Sequence, residues 1–149
     1  NDPNCRIRSG HLVVDPFEIA RQDNMVSINT LVEIDLTGQV CAESVGPKQI
    51  SGSGGAFCFA YGAYRSNGGR SILAFPSRTG KGRSKIRAEL TPGAIVTTPR
   101  NYVDYIVTEY GVAHLKGASL RERAERLIAI AHPDDRAELS AQARALHFI

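Results

Sequence analysis

The chain has 149 residues, of which 42% are hydrophobic and 22% charged, and its formal net charge is +3. A single domain of this length buries roughly two-thirds of its unfolded surface, so it needs neither disulfides nor a structural metal to fold. No apolar run approaches the roughly 18 residues of a membrane-spanning helix, so we expect a soluble globular protein without a membrane partner.

The first residues show no periodicity. Residues 1–10 contain Pro, Asn, Ser and charged side chains, which predicts a leader or the remnant of an upstream linker. The chain starts at Asn1 without a Met or a basic-then-apolar leader, so we expect a fragment of a longer protein whose ordered domain is residues 11–149. Asp15 followed by Pro16 then predicts a short helix with Asp15 as its N-cap.

Several strands are predicted from alternation and from β-branched residues. Residues 25–35 alternate, with Val26, Ile28, Val32 and Ile34 expected on the buried face, and residues 36–39 turn the chain into a hairpin with residues 40–42. The apolar run at residues 71–75 is typical of a buried strand. Further strands are predicted at residues 86–90, 95–98 and 105–108.

The C-terminal third is predicted to be helical. Ser119 and Glu122 have the spacing of a capping box, and the residues expected on the apolar face of the helix that follows are Leu120, Ala124, Leu127, Ile128 and Ala131. Pro133 ends that helix and opens a second one, at residues 133–146. Strands mixed with helices predict an α/β domain in which a sheet is flanked by helices and two helices close the chain.

The most informative motif is the loop of small residues within Gln49–Phe59. Its glycines permit positive φ and let a ligand approach the backbone closely. If a helix begins at Ala56, its unpaired N–H groups and positive dipole end favour an anion or a developing oxyanion. The loop matches neither a P-loop nor a Rossmann turn, and a tight structural turn remains the alternative.

A block of basic residues without any acidic residue follows the loop. Its members are Arg65, Arg70, Arg78, Lys81, Arg83, Lys85 and Arg87. Such a block fits either a solvated face or a site for an anionic partner.

Other polar residues have both a structural and a functional interpretation. Asn29 lies in an apolar strand, where its amide needs partners, so either a structural hydrogen bond to loop backbone or a site role is expected. Glu109, at a strand end, could act in catalysis, although anchoring a loop is the favoured role. His132, before Pro133, is expected at a helix junction, and His114 has no metal-ligand neighbour at a suitable spacing.

The cysteines predict no metal site and no disulfide framework. Cys5, Cys41 and Cys58 are widely spaced and form no CxxC pair, which favours a reducing, cytoplasmic setting. Cys58 has no neighbouring His and is expected to behave as a small hydrophobe rather than as a nucleophile.

Several stretches, weak individually, together resemble one family. They are Ser27-Ile28-Asn29-Thr30, Glu33 to Val40, Ser51-Gly52-Ser53-Gly54-Gly55, Val107 to Ala113, Arg121-Glu122-Arg123-Ala124 and Ile130-Ala131-His132-Pro133. This combination resembles the acetyl-CoA hydrolase/transferase family, which includes 4-hydroxybutyrate, butyryl-CoA:acetate and succinyl-CoA:acetate CoA-transferases. The resemblance is to the C-terminal domain and covers residues 13–146.

The resemblance implies a CoA-transferase-type (NagB/RpiA-like) α/β domain, one of two similar halves with the active site between them. In such enzymes a glutamate attacks the acyl-CoA thioester, and CoA passes through a glutamyl-CoA thioester to a free carboxylic acid. It implies that the backbone at Gly54 and Gly55 helps to hold the thioester oxyanion.

The same resemblance implies a set of substrate- and CoA-binding residues. They are Asp15, Asn29, Ser51, Gly52, Ser53 and Lys81. Lys81 falls where related sequences carry a lysine near CoA, and the basic block suits the CoA phosphates. The chain departs from the pattern at Asp15, where some relatives carry an active-site asparagine, at Cys58, where many carry Asp, and at Asp135, where an aromatic is common.

The resemblance also implies what this chain lacks. The catalytic glutamate belongs to an upstream segment, and no matching motif lies between Asn1 and Met25, so the fragment alone is expected to be inactive. The expected partners are an acyl-CoA, a short-chain carboxylate, the N-terminal half of the same enzyme and further copies in a homo-oligomer. CoA enters as a substrate, and no tightly bound cofactor or metal is expected.

Three alternatives remain at this point. One is an acyl-CoA hydrolase, in which water replaces the acceptor acid. Another is a basic nucleic-acid-binding module, although aromatic residues for base stacking are sparse in the basic block. The third is a non-catalytic domain that completes an oligomer interface.

Overall fold

Residues 2–149 are described by a computed structural model, in which helices alternate with short strands. The helices are α1 (Gly10–Val13), α2 (Pro16–Ala20), α3 (Ala56–Arg65), α4 (Leu120–Ala129) and α5 (Pro133–Ala145), with a 3₁₀ turn at Arg100–Tyr102. The strands are β1 (Val26–Asn29), β2 (Glu33–Asp35), β3 (Val40–Cys41), β4 (Ser44–Val45), β5 (Lys48–Gln49), β6 (Arg70–Ala74), β7 (Ile86–Arg87), β8 (Tyr105–Thr108) and β9 (Gly111–His114).

The largest sheet has four strands in the order β1-β6-β8-β9. Its first three strands are parallel, and β9 closes one edge as the antiparallel partner of β8. A second sheet has the order β3-β2-β7, and β4 pairs with β5. The mixed α/β fold predicted from the sequence, with a sheet flanked by helices and two C-terminal helices, is confirmed.

The hydrophobic core lies between the two larger sheets and the C-terminal helices. Its fully buried side chains include Ile34, Leu36, Ile86, Ile106 and Leu127. Burying side chains of this kind contributes about 1.5–3 kcal/mol each relative to leaving them in water. Burial of its apolar residues therefore stabilises the β2–β3 hairpin. Gly38 lies in the turn of this hairpin with a φ of +95°.

The helix predictions agree with the structure. The Asp15 carboxylate accepts a hydrogen bond from the Phe17 N–H at 2.8 Å, which caps α2. Ser119 and Glu122 form the capping box of α4, and His132 is the N-cap of α5. Leu120 was expected on the buried face of α4 but is 44% exposed, because it begins the helix before the helix reaches the core.

The strand predicted over residues 25–35 is wrong in two respects. The segment divides into β1 and β2, which belong to different sheets. In β1 the alternation is real, but Val26 and Ile28 are exposed and Ser27 is buried. The physical reason is that α3 packs on this face through Ala60 and Ala63, and small side chains in the strand allow the close approach.

Two further strand predictions hold only in part. Residues 86–90 contribute only β7, and residues 95–98 make a single bridge between Thr98 and Val40. Buried carboxylates add to this limited pairing in the same region. Glu33 accepts hydrogen bonds from the N–H and hydroxyl of Thr91, and Glu43 accepts one from the hydroxyl of Thr97. The strand β9 was not predicted.

Within residues 2–149, no helix combines the length and apolar character that crossing a bilayer requires.

Candidate active site

The candidate site lies at one edge of the four-stranded sheet. Because β1, β6 and β8 are parallel, their carboxyl ends meet at the same edge, where ligands bind in open α/β sheets. Asn29 ends β1, and Glu109 directly follows β8. The loop that carries Lys81 comes after β6. The sequence therefore brings its polar candidates to one edge.

The orientation of α3 brings the glycine loop to this edge as well. The hydroxyl of Ser66, just past the end of α3, accepts from the Met25 N–H at 3.2 Å, immediately before β1 begins. The C-terminus of α3 thus lies beside the start of β1. Since α3 packs along β1 and β6, its N-terminus points toward their carboxyl ends.

The glycine loop offers its backbone at the start of α3. Gly54 has a φ of +55°, and a Cβ built on Gly52 or Gly54 would have no atom within 4 Å. Gly55 is the N-cap and supplies no side-chain cap, and the Phe59 N–H makes a helical hydrogen bond to Gly55 O at 3.0 Å. The N–H groups before Phe59 are those that a helix leaves without an intrahelical partner, and such groups favour an anion.

A buried carboxylate anchors the start of this loop. Glu43 accepts a hydrogen bond from Nε2 of Gln49 at 2.8 Å, and its backbone oxygen accepts from the Ile50 N–H at 2.9 Å. The Gln49 side chain also donates to Ser51 O at 2.7 Å. The sequence analysis included Gln49 at the start of the loop motif but missed its anchoring role, and it missed Glu43, whose only signal is a charged residue next to an apolar strand. Ser51, Gly52 and Ser53 are exposed beyond this anchor.

Asn29 lies beside the first turns of α3. Its Nδ2 donates to the Ser27 hydroxyl at 2.8 Å, so the amide has a structural partner, although that partner is a side chain and not loop backbone. Residues 25–29 and Phe59 line a hollow of about 320 Å³. The hollow connects the end of β1 with the helix that follows the glycine loop.

Asp15 lies at the start of α2, which packs against α3. The neighbouring Val14 lies so close to the loop that a Cβ on Gly55 would be 3.3 Å from Val14 Cγ1. The segment that carries Asp15 therefore runs beside α3, although the Asp15 carboxylate itself is engaged in capping α2.

The basic block does not form one positive surface. Arg78 donates two hydrogen bonds to the Asp135 carboxylate, from Nε at 2.9 Å and from Nη2 at 2.5 Å. Its Nη1 also lies 3.3 Å from the Asp134 carboxylate. Arg87 lies 3.8 Å from Glu33. Lys81 and Arg83 remain exposed in the loop that the Thr79 N–H closes on Arg83 O. Carboxylates thus neutralise Arg78 and Arg87, whereas Lys81 and Arg83 present exposed positive charge in the Lys81 loop.

Glu109 anchors this edge, as the favoured interpretation predicted. Its carboxylate accepts from the Ser77 N–H at 2.8 Å and from the Ser77 hydroxyl at 2.7 Å. Partial desolvation raises the pKa of Glu109, but the hydrogen bonds from Ser77 outweigh it and leave the pKa below its ordinary value. The carboxylate therefore joins the end of β8 to the segment after β6.

A carboxylate whose pKa is lower in the folded than in the unfolded protein stabilises the fold at pH values above the ordinary pKa of glutamate. This stabilisation is lost as the pH falls through the folded-state pKa. We expect Ser77→Ala to lower the free energy of unfolding by about 1 kcal/mol at pH 7, a low figure for a charged hydrogen bond because Glu109 faces solvent. The loss should shrink near pH 3. Urea unfolding at both values measures it. Ser140→Ala, which removes a hydroxyl bonded to Arg136 O, should show no such pH dependence.

No group of three or more His, Cys, Asp and Glu side chains between residues 2 and 149 is arranged to hold a metal ion. Cys5 is exposed, Cys41 is buried and Cys58 is half-buried on α3, and all three are free thiols.

The protein is thus a mixed α/β domain that presents an uncapped helix N-terminus and a glycine loop at the carboxyl edge of its parallel strands. Residues 1–143 match the model of the acetyl-CoA hydrolase/transferase C-terminal domain, and the chain belongs to that family. The resemblance inferred from the motifs is confirmed.

Proteins similar in sequence include CoA-transferases. The chain is 56% identical over 140 residues to 4-hydroxybutyrate coenzyme A transferase of Clostridium kluyveri, covering 93% of this chain and 33% of that protein. It is 46% identical over 143 residues to butyryl-CoA:acetate CoA-transferase of Anaerostipes caccae, covering 93% and 32%. The chain thus spans about a third of the length of these relatives. An acetyl-CoA hydrolase of Yarrowia lipolytica is more distant, at 32% identity.

Solved structures confirm the CoA-transferase type of fold. The crystal structure of RipA from Yersinia pestis is 50% identical, has a TM-score of 0.85 and is matched over 92% of this chain and 31% of that chain. A 4-hydroxybutyrate CoA-transferase from Porphyromonas gingivalis is 47% identical, with a TM-score of 0.72 and coverage of 90% and 30%.

Proposed function

We propose that this domain supplies the thioester-binding half of a short-chain acyl-CoA:carboxylate CoA-transferase. The observation that carries the proposal is the uncapped N-terminus of α3, behind the open glycine loop, in a chain that belongs to this family. By their names, the relatives are a 4-hydroxybutyrate CoA-transferase and a butyryl-CoA:acetate CoA-transferase. Their shared chemistry sets the class of substrate.

The proposed reaction is an exchange in covalent steps. A glutamate carboxylate attacks the carbonyl carbon of the acyl-CoA, and the C–S bond breaks. CoA departs as the thiolate, and an acyl-glutamyl anhydride forms on the enzyme. The thiolate then attacks the glutamyl carbonyl, which expels the acyl carboxylate and forms a glutamyl-CoA thioester. The acceptor carboxylate repeats these steps in reverse and leaves as the new acyl-CoA.

Each attack on a carbonyl creates an oxyanion, and in this proposal the backbone at Gly54 and Gly55 stabilises it. A donor of this kind is often worth about 3 kcal/mol in the transition state. Ser51, Gly52 and Ser53 shape the approach to the thioester, and Asn29 and Asp15 border it. Lys81 interacts with the phosphates of CoA.

The nucleophilic glutamate is proposed to lie outside this chain, in the N-terminal part of the protein. Alone, the chain is then inactive. The remaining parts of the proposal are an ordered domain over residues 11–149, a homo-oligomer, a reducing cytoplasmic setting and CoA as a substrate, with no tightly bound cofactor.

A chimera tests the function directly. This chain replaces the matching C-terminal third of the Clostridium kluyveri relative, and CoA transfer from acetyl-CoA to 4-hydroxybutyrate or butyrate is measured. Activity in the chimera, and none from the 149-residue chain alone, is the expected result. A well-folded chimera that transfers no CoA to any short-chain carboxylate would contradict the proposal.

The distant hydrolase relatives supply the second candidate. In a hydrolase, water attacks the thioester and free CoA appears without any acceptor acid. The same chimera is therefore assayed for CoA release with and without the carboxylate. Release that does not depend on the acceptor would favour the hydrolase.

Loss of the Lys81 charge should weaken CoA binding without impairing chemistry. In the chimera, Lys81→Ala is expected to raise KM for acyl-CoA about tenfold, or ~1.4 kcal/mol, and to change kcat less than about twofold. Arg144→Ala, an exposed cation on α5, is the matched control and should leave both constants unchanged. A drop in kcat alone would place Lys81 away from the CoA phosphates.

A further inference from the structure

The four-stranded sheet is covered on one face only. Side chains on the face toward the helices are buried, among them Ser27, Ser71, Leu73, Ile106 and Ala113. Those on the opposite face alternate with them along each strand and stay exposed or half-buried. Parallel strands are almost always covered on both faces, so this arrangement is exceptional for β1, β6 and β8.

The uncovered face is mainly apolar, with Arg70 at the start of β6 and His114 on β9 as its polar members. The strand register places Ile28, Ile72, Tyr105 and His114 in one row, and Ala74, Val107 and Val112 in the next. Ile28 and Val112, at opposite edges, are 68% and 62% exposed. A contiguous apolar face of this kind on a protein marks an interaction surface.

Its dimensions fit helices. Four strands spaced about 4.8 Å apart, with their side chains, present a width of roughly 15–20 Å. Two helices packed 8–10 Å apart would cover that width. Within residues 2–149, the helices that pack on these strands are α3 and α4, and both lie on the buried face, which leaves Ile28 and Val112 exposed on the other.

The outer edge of β1 adds a second observation. Among the described residues, β1 pairs with β6 alone. Its sequence from Val26 to Asn29 has neither Pro nor a charged residue, the usual protections of a free edge strand. The open face of the sheet and the unpaired outer edge of β1 are therefore adjacent surfaces.

We infer that helices from the N-terminal region of the full-length protein cover this open face. The family match is to a C-terminal domain, and the relatives contain about twice as much further chain as this domain represents, enough to supply them. A second copy would bring another sheet, whereas parallel sheets are covered by helices. The inference rests on the proposed partnership with an N-terminal region and names the surface that this partnership uses.

Cysteine labelling in the chimera tests the inference. Ile28→Cys and Val112→Cys probe the open face, and Leu120→Cys on α4 is the control, with a similar side chain and 44% exposure. Alkylation by a small maleimide is followed by peptide mass spectrometry, which separates each probe from Cys5, Cys41 and Cys58. In the chimera, the two probes on the open face should react at least about tenfold more slowly than the control, and in the 149-residue chain at a similar rate to it.

Equal rates at all three positions in the chimera would overturn the inference. Protection in the 149-residue chain that grows with protein concentration would also overturn it, because a second copy would then cover the face. The readout is independent of catalysis. If the chimera is inactive but its open face is protected, the transferase function is rejected and the interface is supported. If the chimera is active but the face is exposed, the interface is rejected and the transferase function is supported.

Discussion

Replacing Gly54 with valine in the chimera should lower kcat for CoA transfer by about 100-fold to 1,000-fold, the usual cost of losing an oxyanion donor. Gly54 has a φ of +55°, which a β-branched residue adopts only under strain, and nothing lies within 4 Å of a Cβ at this position. Valine would fill the space in front of the first N–H groups of α3. The loop would have to move, and the thioester oxygen would lose its donors.

The control separates this effect from simple backbone strain. Gly117 also has a positive φ, +75°, and open space around it, but it lies in the turn between β9 and α4. Gly117→Val should therefore cost a similar amount of stability and leave kcat within about twofold. Steady-state kinetics on both variants, with their unfolding curves, measures the difference. If the two variants lose activity equally, the glycine loop has no special role in the reaction.

The local features of this site were predictable because their causes are local. The N-cap Asp15, the capping box at Ser119 and the helix after the glycine loop each depend on neighbours within about four residues. Short-range rules therefore located α2, α3, α4 and α5, whereas α1 was not predicted. The family motifs then gave the glycine loop a chemical meaning that residue types alone left open between a binding surface and a tight turn.

The strand at residues 25–35 shows why other features were not predictable. Alternation fixes that Val26 and Ile28 share a face, but not which face is buried. That choice depends on α3, which comes 30 residues later and packs on Ser27. Polar contacts between distant segments were equally hidden, as between Glu33 and Thr91, which are 58 residues apart. The clue to them is a charged residue in an apolar strand, which predicts a partner without identifying it.

Arg123 is the clearest example of such a hidden contact, and its loss should have the largest effect on stability. It is only 8% exposed on α4, within the Arg121-Glu122-Arg123-Ala124 motif. Its Nε donates to Ala118 O at 3.1 Å and its Nη1 donates to Arg100 O at 2.9 Å and Thr37 O at 3.5 Å. One guanidinium thus joins the β2–β3 turn, the 3₁₀ turn and the start of α4.

We expect Arg123→Met to lower the free energy of unfolding by about 3 kcal/mol, since hydrogen bonds from a charged donor are worth about 1.5–3 kcal/mol each and the buried carbonyls lose their partner. Burial lowers the pKa of Arg123, yet the group stays protonated at any pH that a protein tolerates, so the loss should not depend on pH between about 5 and 9. Urea unfolding at both ends of this range measures it. Methionine keeps most of the aliphatic length, which limits the contribution of a cavity.

Arg121→Met provides the matched control on the same helix. Arg121 is exposed and pairs with Glu125 at 3.2 Å, so its removal should cost less than about 0.5 kcal/mol. Arg123→Lys should retain little of the stability, because a single ammonium cannot reach carbonyls on several sides as the planar fork does. If the lysine variant is as stable as the original chain, burial of charge and not the shape of the guanidinium holds the three segments together. If Arg123→Met matches Arg121→Met, these carbonyls find other partners and the contact does not stabilise the fold.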